Sequence, residues 1–136
     1  MFAVVRIRGT VHAKPQIRDT LHMLNLTAVN NCTLIPGTDS YRGMLQKVKD
    51  YVTWGEISAS MLEQLLAAKT DLEGDHLQQA VEQLMNDDTK LGDVASPTLR
   101  LHPPVKGYEG IKRPYRLGGA LGYRGDDINL LLERMI

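Results

Sequence analysis

The sequence predicts an α+β fold: a β-α-β-α-β core followed by a helical, loop-rich C-terminal extension. Three observations carry this expectation. Strand-like and helix-like periods alternate over the first 57 residues, two helical periods with polar faces follow Gly55, and a proline- and glycine-rich basic stretch lies near the C-terminus. The division falls at residues 1–57 for the core and 58–136 for the extension, which comprises two acidic helices, a basic Pro/Gly arm and a terminal helix.

Each element has a local reason. FAVVRIR (2–8) alternates and is rich in β-branched residues, which predicts a strand with Ala3, Val5 and Ile7 on one face. Val4, Arg6 and Arg8 fall on the other face, and Arg6 and Arg8 are expected to be exposed if that face lies opposite the helices. Pro15 suits a first helical turn, and Ile17, Leu21 and Leu24 recur at i, i+4 and i+7, which predicts an amphipathic helix. CTLIP (32–36) is a short strand ended by Pro36-Gly37. SYRGMLQKV (40–48) places Met44, Leu45 and Val48 at helical spacing, and YVTWG (51–55) is a third strand stopped by Gly55.

Beyond that point SASMLEQLLAAK (58–69) opens on Ser58 or Ser60 as a cap and sets Met61, Leu65 and Ala68 on one face. DHLQQAVEQLMND (75–87) repeats the pattern with Leu77, Val81, Leu84 and Met85. TLRLH (98–102) alternates as a further strand would. DDINLLLERMI (126–136) reads as a final helix with acidic residues where the dipole favours them.

Charge is sorted along the chain. The 16 basic and 16 acidic residues cancel overall, yet residues 1–50 carry +4, residues 51–95 carry −7, residues 96–125 carry +5 and the last eleven carry −2. A polyanion senses potential over about a Debye length of 8–10 Å, so overall neutrality does not argue against an anionic partner.

The segment from Pro103 to Gly125 breaks every period and is expected to be a loop, longer than compact domains hold without a function or a partner. Lys106, Lys112, Arg113, Arg116 and Arg124 are spaced to meet successive phosphates. Tyr108, Tyr115 and Tyr123 interleave as rings able to stack on unpaired bases. The arm is therefore expected to be disordered when free and to fold on a polyanion. A plain surface loop is the competing explanation. GGALGYRG has glycines but no Lys-Ser/Thr step to cradle a phosphate, which argues against a nucleotide-binding loop.

Chemistry is not advertised. His12, His22, His76 and His102 lie in separate segments without metal-ligand spacing, no GxSxG elbow occurs, and Cys32 falls inside a strand as a small buried hydrophobe. No catalytic residue, metal or cofactor is expected. A single cysteine excludes an internal disulfide framework and suits a reducing compartment. With neither a signal-peptide core nor an apolar membrane span, a cytoplasmic protein is expected.

LHMLNLTAVNNCTLIPGTDSYRGMLQKVKDYV (21–52) resembles the shared core of the large-subunit ribosomal protein family numbered thirty, above all in its Leu-Asn-Leu turn and Tyr-Arg-Gly-Met-Leu helix start. SPTLRLHPPVKGYEGIKRPYRLGGALG (96–122) is similar to the C-terminal extension of the archaeal members. The resemblance implies a three-stranded antiparallel sheet related to the ferredoxin-like fold, no enzymatic activity, and a structural role in the large subunit bound to ribosomal RNA beside other ribosomal proteins. Thr27, Ala28 and Asn31 stand where relatives often carry basic or imidazole side chains.

The candidate RNA-binding residues are accordingly Arg6, Arg8, Arg42, Lys47, Lys49 and Arg100 together with Lys106, Tyr108, Lys112, Arg113, Tyr115, Arg116, Tyr123 and Arg124 of the arm. A ferredoxin-like regulatory or dimerisation module without RNA is the alternative, and such a module has no use for a basic arm with interleaved tyrosines.

Overall fold

The structure, a computed structural model, describes residues 2–9, 13–69, 74–85, 99–105, 107–108 and 110–136, with the backbone alone at 110–113. Strand β1 (Phe2–Arg6), helix α1 (Pro15–Met23), β2 (Asn31–Ile35), α2 (Asp39–Lys47) and β3 (Val52–Glu56) follow the expected alternation. Helices α3 (Ala59–Lys69) and α4 (Gly74–Met85) come next. Strands β4 (Leu99–Arg100), β5 (Gly110–Pro114) and β6 (Gly119–Tyr123) and helix α5 (Ile128–Met135) complete the chain. Among the described residues no helix is long and apolar enough to cross a membrane.

The Leu-Asn-Leu turn is the stop signal of α1. Asn25 adopts a left-handed conformation at φ 62°, Leu26 N–H donates to the Leu21 carbonyl at 2.9 Å and Asn25 N–H to that of His22 at 3.0 Å. These are the two bonds of a Schellman motif, and the buried pair Leu21 and Leu26 supplies its apolar contact. For α3 the structure selects Ser58 as cap, with its Oγ accepting from Met61 N–H at 3.2 Å.

The sheet corrects the expectation of three antiparallel strands. β1 does pair antiparallel with β2 and β3, but that trio is the middle of a mixed sheet. Five strands form one ladder in the order β4-β2-β1-β3-β6, with β4 antiparallel to β2 and β6 parallel to β3, and β5 runs beside β6 at the outer edge. The parallel pair aligns Thr53 with Gly122 and Trp54 with Tyr123. Residues 110–114 and 119–123, expected as parts of a disordered loop, are thus strands, and 115–117 form a 3-10 turn. Glycine and proline had hidden them. Alternation is unreadable where Gly118, Gly119 and Gly122 have no side chain to place on either face.

Both sheet faces are covered. One bears Phe2, Val4, Ile35 and Trp54 under α1 and α2, with Leu21, Leu24, Leu45 and Val48. The other bears Ala3, Val5, Cys32 and Leu34 under α3, α4 and α5. All five residues of β1 are therefore buried, Arg6 included at 6% exposure, so the expectation of an exposed Arg6 is corrected, while Arg8, beyond the strand, is partly exposed. The amphipathic helices of the extension are what bury the second face. Within α3 the buried stripe is Met61, Leu62, Leu65 and Leu66, and Ala68 lies outside it.

β3 runs so close to the turn before α5 that residue 55 must be glycine. A Cβ there would collide with the Gly125 carbonyl oxygen and lie 2.9 Å from the Ile128 Cβ. Gly43, exposed within α2, is surrounded by open space, and a Cβ added there would meet nothing within 4 Å. Gly55→Ala should therefore cost about 1–3 kcal/mol by overpacking, whereas Gly43→Ala should add about 0.4–1 kcal/mol by restricting the unfolded chain. Chemical denaturation of the two variants checks the opposite signs, and equal effects would show that the close approach at Gly55 is absent.

Candidate nucleic-acid interface

The arm is held on the sheet by a buried guanidinium. Arg124, 6% exposed, donates from Nε to Thr53 Oγ1 and from Nη2 to the Ala120 carbonyl, both at 2.8 Å. Thr53 Oγ1 in turn donates to the Gly122 carbonyl at 2.8 Å, and Arg124 N–H donates to the Trp54 carbonyl at 2.9 Å. The guanidinium carbon lies 4.8 Å from the centroid of the Tyr115 ring, whose hydroxyl donates to the Asp127 carboxylate. These contacts bind β6 to β3 and fold the 3-10 turn back over the sheet edge. Gly118, at φ 83°, lets that turn close by donating to the Tyr115 carbonyl at 3.0 Å.

A groove of about 490 Å³ results between the end of α2 and the hook made by β5, the turn and β6. Gln46, Lys49 and Asp50 line one side, Tyr115, Arg116 and Tyr123 the other, and Trp54 the floor, so two cations meet one carboxylate. Lys47, Lys49 and Arg116 are exposed, and Tyr123 is 50% exposed. A second hollow of about 330 Å³ adjoins it, sharing Gln46, Trp54 and Tyr123 and adding Phe2, Arg42 and Glu56. The Tyr123 ring lies 6.3 Å from Phe2 in an edge-on arrangement and 6.4 Å from Trp54, and its hydroxyl donates to Glu56 Oε1 at 3.3 Å. Partial desolvation and then the Glu56 carboxylate hold the Tyr123 phenol above its ordinary pKa. Cations and half-exposed rings around an open groove can hold phosphates and stack bases.

The candidate residues separate into distinct groups. Lys49, Tyr115, Arg116 and Tyr123 gather on the groove, Lys47 is exposed two residues before Lys49 at the end of α2, and Arg42 sits in the adjoining hollow with its guanidinium 5.7 Å over the Phe2 ring. Arg8 lies 5.3 Å over Tyr51 and donates to the Asp50 carbonyl at 3.3 Å, close in the chain to Lys49. Arg100 is exposed on β4, at the opposite edge of the sheet. Lys106 and the side chains of Lys112 and Arg113 lie outside the described residues.

Arg6, Arg124 and Tyr108 point inward. Arg6 donates to the Arg8 and Leu26 carbonyls at 3.0 Å, fixing the loop after α1, and burial lowers its pKa. Tyr108 donates to Asn30 Oδ1 at 2.6 Å beside Met135, and desolvation raises its pKa to about 12. Sequence reasoning missed Phe2, Gln46, Trp54 and Glu56 as walls. The lone tryptophan was the available signal, but its place beside Tyr123 depends on the β3–β6 register.

Two measurements test these inward roles. Arg124→Met should cost about 1–3 kcal/mol because the Ala120 carbonyl loses its donor, while Arg8→Ala should stay within about 0.5 kcal/mol. Equal losses in denaturation would mean that Arg124 does not hold the hook. Tyr108 keeps its proton to about pH 12 when folded but loses it near its ordinary 10.0 when unfolded. Its contribution to stability is therefore full below pH 10 and declines as pH rises toward 12. Tyr108→Phe should make the alkaline loss of stability shallower over that window, and an unchanged profile would place the phenol in solvent.

Comparison with known proteins agrees with this architecture. The family model described as Ribosomal protein L30p/L7e matches residues 2–52. Over the whole chain, large ribosomal subunit protein uL30 of Methanosphaera stadtmanae is 43% identical, with 100% of both chains covered. The protein of the same name from Methanopyrus kandleri is 45% identical over 96% of this chain and 100% of its own. That of Thermoplasma volcanium is 44% identical over 100% of this chain and 93% of its own. With identities of this size over alignments that cover core and extension together, the chain belongs to the uL30 family of large ribosomal subunit proteins.

Proposed function

We propose that this chain is a non-enzymatic structural constituent of the large ribosomal subunit in the cytoplasm, bound to ribosomal RNA through the groove between α2 and the β5–β6 hook and lying beside other ribosomal proteins. The observation that carries the proposal is the groove itself. Lys49 and Arg116 face each other across a floor of Trp54 with Tyr115 and Tyr123 beside them, where a single strand or loop of RNA can lay phosphates on cations and bases on rings. Membership in the uL30 family supplies the RNA as the polyanion. Lys47 adds a cation at the end of α2, and Arg8, which donates to the Asp50 carbonyl, adds another beside it. Arg6 and Arg124 serve this surface from within by holding the loop after α1 and the hook in place. In this arrangement residues 1–57 provide the scaffold and half of the groove, and residues 58–136 provide the other half and the cover of the second sheet face.

A salt titration against a large-subunit RNA fragment tests the assignment. Each phosphate neutralised contributes about 0.7–0.9 to the slope of log affinity against log salt, so Lys47→Ala, Lys49→Ala and Arg116→Ala combined should flatten it by roughly 2–3 units. Tyr123→Ala should weaken binding by about 1–3 kcal/mol and leave the slope unchanged. A triple variant with the wild-type slope would move the interface elsewhere.

A further inference from the structure

The hollow beside the groove has a composition that phosphate binding does not explain. It is about 330 Å³, at the small end of ligand-sized cavities of roughly 300–1,000 Å³, and it sets the Glu56 carboxylate near the Arg42 guanidinium over walls of Phe2, Trp54 and Tyr123. Here one cation, Arg42, is offset by the Glu56 carboxylate, whereas in the groove Lys49 and Arg116 outnumber Asp50, so the hollow is the poorer phosphate site of the two. It is a good acceptor for a base that brings its own donors. Tyr123 donates to Glu56 Oε1 alone at 3.3 Å, and an ionised carboxylate has about four lone-pair positions, so acceptor capacity remains at Glu56. Guanine presents N1–H and the N2 amino group side by side, matching a carboxylate, and its O6 and N7 accept from an arginine. Adenine has no such pair of donors, and cytosine and uracil lack the second ring to fill the space.

We propose that this hollow binds the edge of an unpaired guanine base of RNA, with Glu56 accepting from N1–H and N2–H, Arg42 donating to O6 or N7, and the half-exposed Tyr123 ring packing on the base. The inference rests on the RNA-binding role proposed above and adds a base preference to it. Charge in the groove sets overall affinity; the Glu56 and Arg42 pair sets which base occupies its end. Glu56, on the last residue of β3, is held from behind by Asn129, whose Nδ2 donates to the Glu56 carbonyl at 3.2 Å.

Trp54 floors both cavities and is the chain's one tryptophan, so its fluorescence reports occupancy directly. The test titrates the full chain with short oligouridylates carrying one central guanosine, inosine or adenosine. The guanosine oligomer should bind about tenfold tighter than the adenosine one, within the range of one bidentate base contact, and inosine, lacking the N2 amino group, should fall between. In Glu56→Gln the preference for guanosine should collapse with the melting temperature and the salt slope kept. The ratio between bases is the quantity to read, since losing a negative charge raises affinity for every oligomer. Free guanosine monophosphate should bind more weakly than the oligomer, because it brings no neighbouring phosphates to Lys49 and Arg116. Equal affinity for the three oligomers, a preference that survives Glu56→Gln, or monophosphate binding as tight as the oligomer's would each overturn the proposal. Salt-dependent binding that persists without base preference would remove the guanine site and leave the RNA-binding role standing.

Discussion

The pairing of β6 with β3 is the constraint on which the remaining structure depends. It is a short parallel contact, with few ladder bonds of its own, and Arg124 reinforces it by joining Thr53 to the Ala120 carbonyl from a buried position. A buried guanidinium is costly unless its donors are satisfied. Here a hydroxyl, a carbonyl and the Tyr115 ring meet it, and among the described residues no buried side-chain polar atom lacks a partner. Once β6 is placed, Tyr115 and Arg116 stand opposite Lys49, and Gly125 comes near enough to β3 that only glycine fits at 55. The groove is a product of that docking, since neither half of the chain encloses it alone.

Covering the sheet on both faces decides where an RNA can be met. Small α/β modules often offer an open sheet face whose aromatic residues stack bases. That mode is closed here, because α1 and α2 lie on one face and α3, α4 and α5 on the other. Contact is left to the sheet edges, the helix ends and the connections between them. The rings available for stacking accordingly come from β6 and the turn before it, Tyr123 and Tyr115, while Trp54 at 6% exposure acts as floor.

The core was legible in the sequence because its periods are clean. FAVVR alternates with β-branched residues, Pro15 begins α1, and Leu24-Asn25-Leu26 ends it with a residue that tolerates a left-handed backbone. Helices α3 and α4 were legible for the same reason. The sheet's true width was not, because β5 and β6 are built from GIKRP and GALGY, where glycine and proline erase both alternation and propensity. The partner of β6, β3, is more than sixty residues away in the chain, as the Thr53 to Gly122 bond illustrates. The site was legible by composition only: sequence supplied the cations and tyrosines, but which point outward depends on burial. Arg116 and Arg124, eight residues apart and alike in sequence, end with opposite fates, one exposed in the groove and one sealed behind it.

Sorting of charge along the chain becomes sorting in space. The acidic segment forms α3 and α4, which cover one face of the sheet and expose Asp75 and Glu82. The basic first fifty residues supply α1 and α2 on the opposite face, with Lys14, Arg18, Arg42, Lys47 and Lys49 exposed. Exposed Asp19, Asp39 and Asp50 offset part of that positive charge, so among the described residues the α1–α2 side keeps a modest positive excess and the α3–α4 side a modest negative one. Near a polyanion such a molecule gains by turning its α1–α2 side inward and its α3–α4 side outward, so electrostatics selects an orientation before any specific contact forms. The groove proposed to hold RNA opens at the end of α2, on that same side. Overall neutrality then has a positive consequence: attraction is confined to one side, and the surface carrying α3 and α4 is left for neighbours that tolerate acidic helices.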